Sequence, residues 1–130
     1  MPNNTTEAKR LFVSPALSVG PAGQVLTVSG NSPGLIDLRL VQDVTLMVNV
    51  IGAPGGTTPT LVVGLDFADP FGNFVAQAIK TASLNAAGAV AVSGGLHISP
   101  GLVLPEFGRI SWTLGGTTPS FAVQITLIGR

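Results

Sequence analysis

Arg109-Ile-Ser-Trp-Thr-Leu-Gly-Gly-Thr-Thr-Pro-Ser-Phe-Ala-Val-Gln-Ile-Thr-Leu-Ile-Gly-Arg130 alternates apolar and polar residues on both sides of a Gly-Gly-Thr-Thr-Pro centre. Before the centre, Ile110, Trp112 and Leu114 alternate with Ser111 and Thr113. After it, Phe121, Val123, Ile125 and Leu127 alternate with Ala122, Gln124 and Thr126. Period two is the signature of a strand, because successive side chains point to opposite faces. The same pentapeptide stands at 55–59, between Val44, Leu46, Val48 and Val50 on one side and Leu61, Val63, Leu65 and Phe67 on the other. The repeated unit reads as a β-hairpin used twice. Glycine lets the chain reverse, threonine satisfies free backbone groups and proline sets the entry to the next strand. A phosphate cradle would need a following helix, usually with a lysine, and neither is present. The two hairpins are expected to face each other across a common core. The repeat is too sparse for a solenoid or propeller.

Outward from these units the pattern continues. Ile36, Leu38 and Leu40 alternate with Asp37 and Arg39, and Gly30–Gly34, Asp69–Asn73, Gly94-Gly95 and Ser99-Pro100-Gly101 punctuate the strands. Ala76–Ala91 is alanine-rich, which favours helix by propensity. Gly88 interrupts it, however, and no helical stripe holds, so Val75–Thr81 and Ala89–Ser93 read better as strands around an Asn85–Gly88 turn, with one short helix as the alternative. The expected fold is all-β: an antiparallel two-sheet β-sandwich, jelly-roll-like, of about eight strands over residues 24–130. Residues 1–23 read as an extended N-terminal arm. Leu11, Phe12 and Val13 form its short apolar patch, and they are the candidate interface residues.

Composition narrows the function. A chain of 130 residues suits one domain, and the lack of cysteine excludes disulfides and thiolate metal sites. Six basic residues balance six acidic ones, together 9% of the chain, against about 25% in ordinary soluble domains. Either much of the surface is Ser, Thr, Asn and Gly, or much of it is covered by partner subunits; with 45% hydrophobic residues, the second is the expectation. Lys9, Arg10, Arg39, Lys80, Arg109 and Arg130 are scattered, which argues against nucleic acid as a partner. Met1–Arg10 lacks the apolar core of a signal peptide. The uncharged run from Lys80 to Glu106 is broken by glycines and Pro100, so no membrane helix is expected.

Candidate chemistry is sparse. His97 is the single histidine; Ser93, Ser99 and Glu106 lie near it in sequence, but they form no catalytic motif, so it reads as an edge or interface residue. Asp66 and Asp69 are the one close carboxylate pair. With Asn73 they could give oxygens to a loop calcium, although EF-hand spacing is missing and Asp-Pro is a common turn starter. Trp112 shares a face with Ile110 and Leu114, so it reads as core rather than as a sugar platform. With no tyrosine in the chain, a carbohydrate-binding reading loses weight. The chain is read as a non-enzyme, with no catalytic residue, cofactor or resident metal.

The segment Arg109–Arg130 resembles the C-terminal hairpin of small virion structural proteins of tailed bacteriophages, in which a Trp-Thr-x-Gly-Gly-Thr-x-Pro-Ser-Phe motif closes the domain. The stretch Val-Asn-Val-Ile-Gly-x-Pro-Gly-Gly-Thr-Thr-Pro-Thr-Leu, ending at Leu61, looks like the matching first hairpin. The resemblance covers roughly residues 40–68 and 105–130. It implies a β-sandwich on the virion: a capsid decoration or stabilising protein that bridges neighbouring coat subunits. Its partners would be the major capsid protein or other virion proteins, and it would cluster symmetrically as a homo-oligomer, for instance a trimer. A receptor- or carbohydrate-binding module of a phage tail or fibre is the alternative. Asp66–Asn73 replaces a Ser-x-Asp-Gly-x-x-Trp turn carried by many family members, and Ala82–Gly95 is unusually long and small-residued.

Overall fold

The computed structural model describes residues 9–14, 23–95 and 106–130. Among them there are nine strands and no helix: β1 (Lys9–Ser14), β2 (Gln24–Leu26), β3 (Gly30–Asn31), β4 (Ile36–Asp37), β5 (Asp43–Val50), β6 (Gly55–Ala68), β7 (Phe74–Lys80), β8 (Gly88–Gly95) and β9 (Phe107–Gly129). All pairings are antiparallel. The order is β7-β6-β9-β5-β8, and β1 to β4 pair along the remaining edge of β9. The sheet curls until β7 and β8 approach each other, where the Ile79 side chain lies over Gly94. The result is nearly a barrel.

The frame is one long ribbon. Residues 44–50 pair with 123–129, and residues 60–68 pair with 107–115. Between these regular ladders the two Gly-Gly-Thr-Thr-Pro segments meet each other: Gly55 opposite Ser120, Thr57 opposite Thr117 and Thr60 opposite Gly115, with a register shift on either side of Thr57. The expectation of two hairpins is therefore corrected. Neither copy reverses the chain. The second lies within β9, which runs through both halves of the sheet, and the first opens β6 just after the 51–54 break that follows β5.

The two copies are related by a local pseudo-twofold axis through the Thr57–Thr117 pair. Gly56 and Gly116 have φ of 98° and 96°, and Thr58 and Thr118 have φ of 47° and 45°. A Cβ on Gly56 would lie 2.5 Å from the Thr118 carbonyl oxygen, and one on Gly116 would lie 2.5 Å from that of Thr58. Each glycine thus does two things for the opposite copy: it takes a left-handed conformation and it leaves room for the partner's carbonyl. A threonine at positive φ is costly because its branched Cβ crowds the backbone. That cost occurs at the same place in both copies, and the pairing around it holds it there.

The alternating apolar residues form one core. Val44, Leu46, Val48, Val50, Leu61, Val63, Leu65, Ile110, Phe121, Val123, Ile125 and Leu127 are buried, with Leu26 and Leu38 added from the N-terminal part. Three expectations fail locally. The strand read through Leu40 stops at Asp37, and Leu40 is 97% exposed. The chain turns there because Asp37 accepts hydrogen bonds from the Arg39 backbone and guanidinium. The second face of β6 is not solvated either: Gly64, Asp66 and Ala68 are buried along with the core face. Val75–Thr81 and Ala89–Ser93 are strands as read, but β7 pairs with β6 and β8 with β5, so the 81–87 connection changes partner strand instead of closing a hairpin.

β1 falls inside the stretch read as an arm. It pairs within the same chain, with Phe12 opposite Leu127 and Val13 opposite Thr126, and with a bulge between Arg10 and Phe12. Further along, the Ser29 and Ser32 hydroxyls accept the amide hydrogens of Leu114 and Ile110, which fastens the N-terminal segment to β9.

Two stability measurements test this reading. Gly56→Ala or Gly116→Ala should cost more in urea denaturation than Gly34→Ala. Gly34 also has positive φ, but a methyl group there would meet no atom within 4 Å. The expected loss is about 1–2 kcal/mol for Gly34 from conformation alone, and more at either crossing glycine. Deleting residues 1–14 should lower the thermal midpoint, because it strips the outer edge of β9 from Ile125 to Gly129. An unchanged midpoint would mean that β1 contributes nothing to the body.

Candidate functional site

The outer face of the β9–β6–β7 half carries the one buried ionic cluster among the described residues. Asp66 on β6 is 3% exposed. Its Oδ1 accepts the Gln77 amide hydrogen at 2.7 Å and the Ser111 hydroxyl at 2.7 Å, and its Oδ2 accepts from Arg109 Nε at 2.9 Å. Register explains the meeting. Asp66 pairs with Arg109 across the ribbon, and Ser111 lies two residues along on the same face. On the other side β7 bulges, with three residues (76–78) opposite the single Asp66. Gln77 sits at the apex of that bulge with φ of 46°, and its side chain folds over Gly64. The Phe74 ring covers Arg109, with the guanidinium carbon 3.7 Å from the ring centroid. Every oxygen of the carboxylate has a donor, as burial of a charge demands. The cluster is a clamp that pins the bulge of β7 onto the ribbon.

Asp69 begins the β6–β7 turn. Its carboxylate accepts from the backbone amides of Phe71 and Asn73 and from the Asn73 side-chain amide, at 2.7–2.9 Å. The Asn73 hydrogen bonds, above all, hold its pKa below the ordinary carboxylate value. The three residues considered for calcium are thus divided between two donor-satisfied carboxylates, one already neutralised by Arg109. Among the described residues no group of three His, Asp or Glu side chains is placed to hold a metal. The same turn presents Phe71 at its tip, 87% exposed.

A second guanidinium–aromatic pair stands at the same end. Arg39 makes a forked ion pair with Asp37 at 2.8–3.0 Å and lies 5.4 Å from the Phe107 centroid. The Arg39 hydrogen bonds bring the Asp37 pKa from 3.8 down to about 2. Trp112 packs against the core, and its indole N–H donates to the Val28 carbonyl at 3.1 Å; it is not a free platform. His97 and Ser99 lie outside the described residues, as do the side chains of Leu11, Phe12 and Val13.

The opposite half presents a different surface. On the outward side of β8, β5 and β9 stand Ala89, Ala91, Ser93, Thr45, Met47, Asn49, Ala122, Gln124, Thr126 and Ile128, with Val25 of β2 beside Ala122. None is ionisable. Two cross-strand hydrogen bonds tie the face together, Thr45 with Ser93 at 2.9 Å and Asn49 with Gln124 at 3.0 Å. At its rim, Asp43 and Arg130 pair at 3.8 Å beside a shallow depression of about 560 Å³ bordered by Thr45, Ser93 and Ile128. The shortage of charge is legible in the sequence, but its concentration on one face is not, because that depends on which strands become neighbours.

No family model matches this chain, and no curated protein matches it.

Three substitutions test the clamp and the Asp37–Arg39 pair. Arg109→Ala leaves the Asp66 carboxylate buried without its cation and should cost about 3 kcal/mol in chemical denaturation; Asp66→Asn in the same chain should recover part of the loss. In an NMR titration, Asp37 should titrate near 2 and move up toward 3.8 in Arg39→Ala. Because the folded value is the lower one, this contribution to stability is present above 3.8 and is lost as the pH falls toward 2.

Proposed function

We propose that this chain is a bacteriophage virion structural protein, a capsid decoration or stabilising protein that bridges neighbouring coat subunits. The observation that carries the reading is the uncharged face of β8, β5 and β9. A sheet surface of alanine, small hydroxyls, amides and Met47 carries no charge to desolvate or leave unpaired, and its hydroxyls and amides can be met by hydrogen bonds from a partner. Repeated over many copies on a lattice, even a weak contact of this kind adds up. The resemblance of residues 40–68 and 105–130 to phage virion proteins points the same way. In this reading the fold is a jelly-roll-like two-sheet sandwich: one half is β1/β2, β9, β5 and β8, the other is β3/β4, β9, β6 and β7, and β9 belongs to both. The partners are the major capsid protein or other virion proteins, and the location is the capsid surface.

A second reading, a receptor- or carbohydrate-binding module of a tail or fibre, has one observation in its favour. Phe71 stands exposed on a turn that Asp69 holds in shape, which is the geometry of a recognition tip.

Co-sedimentation separates the two. The purified chain should pellet with emptied phage heads and raise the temperature at which they open. Ala91→Lys and Thr126→Lys, which put charge on the uncharged face, should abolish both effects while leaving the circular dichroism spectrum unchanged. A chain that ignores heads but binds a glycan or cell surface through Phe71, and loses that binding in Phe71→Ala, would overturn the decoration reading.

A further inference from the structure

We propose that β8 is a self-association edge: two copies of this chain pair through it, strand to strand and antiparallel, about a twofold axis perpendicular to the sheet. This pairing involves the chain alone and stands whether or not the virion reading does.

An unpaired edge strand presents a row of backbone N–H and C=O groups that will accept any compatible strand, and proteins guard such edges with charge, proline, bulges or short length. The other outer strands here are guarded. β7 carries the bulge opposite Asp66 and ends in Lys80. β1 begins Lys9-Arg10 and bulges directly after. β2, β3 and β4 have only three, two and two residues.

β8 has none of these devices. Its eight residues, Gly-Ala-Val-Ala-Val-Ser-Gly-Gly, pair with β5 in unbroken register from Gly88 opposite Val50 to Gly95 opposite Asp43. They include no charge, no proline and no bulge. Its other edge pairs with no strand among the described residues. β7 comes near at the Gly94 end through the Ile79 side chain, which leaves the stretch from Gly88 to Ser93 without a paired strand among the described residues on that side. Among the described strands, the guard is missing at this one outer edge and present at the others.

The occupant follows from the chemistry of the strand. Antiparallel pairing about such an axis keeps the outward face outward, so a residue must oppose one of its own face. The centred register puts Ala91 opposite Ala91 of the second copy, Ala89 opposite Ser93 and Val90 opposite Val92. Small residues meet small ones on the outward face. The two half-buried valines meet each other on the inward face, where β-branched pairs stabilise a sheet. No like charges face each other at any position, the condition that most often forbids a strand from pairing with itself. The product is a sheet continuous through β9, β5 and β8 of both copies, and it doubles the uncharged face.

The test uses the full chain. Sedimentation velocity from micromolar to near-millimolar concentration should show a monomer–dimer equilibrium. Ala91 is exposed, so Ala91→Lys should leave the circular dichroism spectrum and thermal midpoint near wild type while weakening the dimer on the order of tenfold or more, because two lysines would oppose each other at the axis. Mixing Ala91→Lys with Ala91→Glu should restore the dimer as a heterodimer, which excludes misfolding as the cause. In a chain without cysteine, Ala91→Cys should oxidise to a covalent dimer. A monomer at every concentration, or a dimer unaffected by Ala91→Lys, would overturn the proposal; the first of these is also the result expected if the edge serves a strand of another protein.

Discussion

The structure depends on the crossing of two identical pentapeptides. Gly56 and Gly116 each sit where a methyl group would collide with a carbonyl of the opposite copy, so the two segments come closer than any other residue pair there would allow. That approach keeps the ribbon continuous while it changes direction. On one side of the crossing Val44–Val50 lies against Val123–Gly129, and on the other Thr60–Ala68 lies against Phe107–Gly115. Because both strands bend at the same place, the apolar faces of the two halves turn toward each other. Leu61, Val63 and Leu65 then share a core with Phe121, Val123 and Ile125. Bulges and glycines are the usual means of bending a sheet sharply; here the device is used twice and the copies hold one another.

Everything attached to the ribbon serves one of its edges. The strands β1, β2, β3 and β4 line the other side of β9, and hydroxyls of Ser29 and Ser32 accept backbone amide hydrogens there. The Asp66 clamp fixes β7 through a bulge that also spoils β7 as a template for further strands. A buried aspartate is an expensive way to hold a strand unless each oxygen is bonded, and here the guanidinium, a hydroxyl and a backbone amide meet that condition. The unbroken β8 and the uncharged face beside it carry, by contrast, neither bulge nor charge.

Much of this could be read in the sequence. The period-two runs at 44–50, 61–67 and 121–127 became strands with the buried residues as expected, because burial of one face is a local pattern that survives any topology. Trp112 fell on the core side for the same reason. The role of the pentapeptides could not be read, since Gly-Gly followed by proline suits a reversal and a bulge equally well; only long-range register separates them. Exact duplication was the available clue, because two segments that pair about a pseudo-twofold axis must make the same concessions. Leu40 continued the alternation on paper, but the Asp37–Arg39 interaction ends the strand before it. The Asp66–Arg109–Ser111 cluster joins residues more than forty positions apart, and nothing local marks it.

Interstrand nuclear Overhauser effects between α protons and amides across the ribbon centre test the crossing most directly. Contacts joining Thr57 to Thr117, and Gly55 to Ser120, are the predicted result. Contacts joining β5 directly to β6, as two independent hairpins would give, would contradict it.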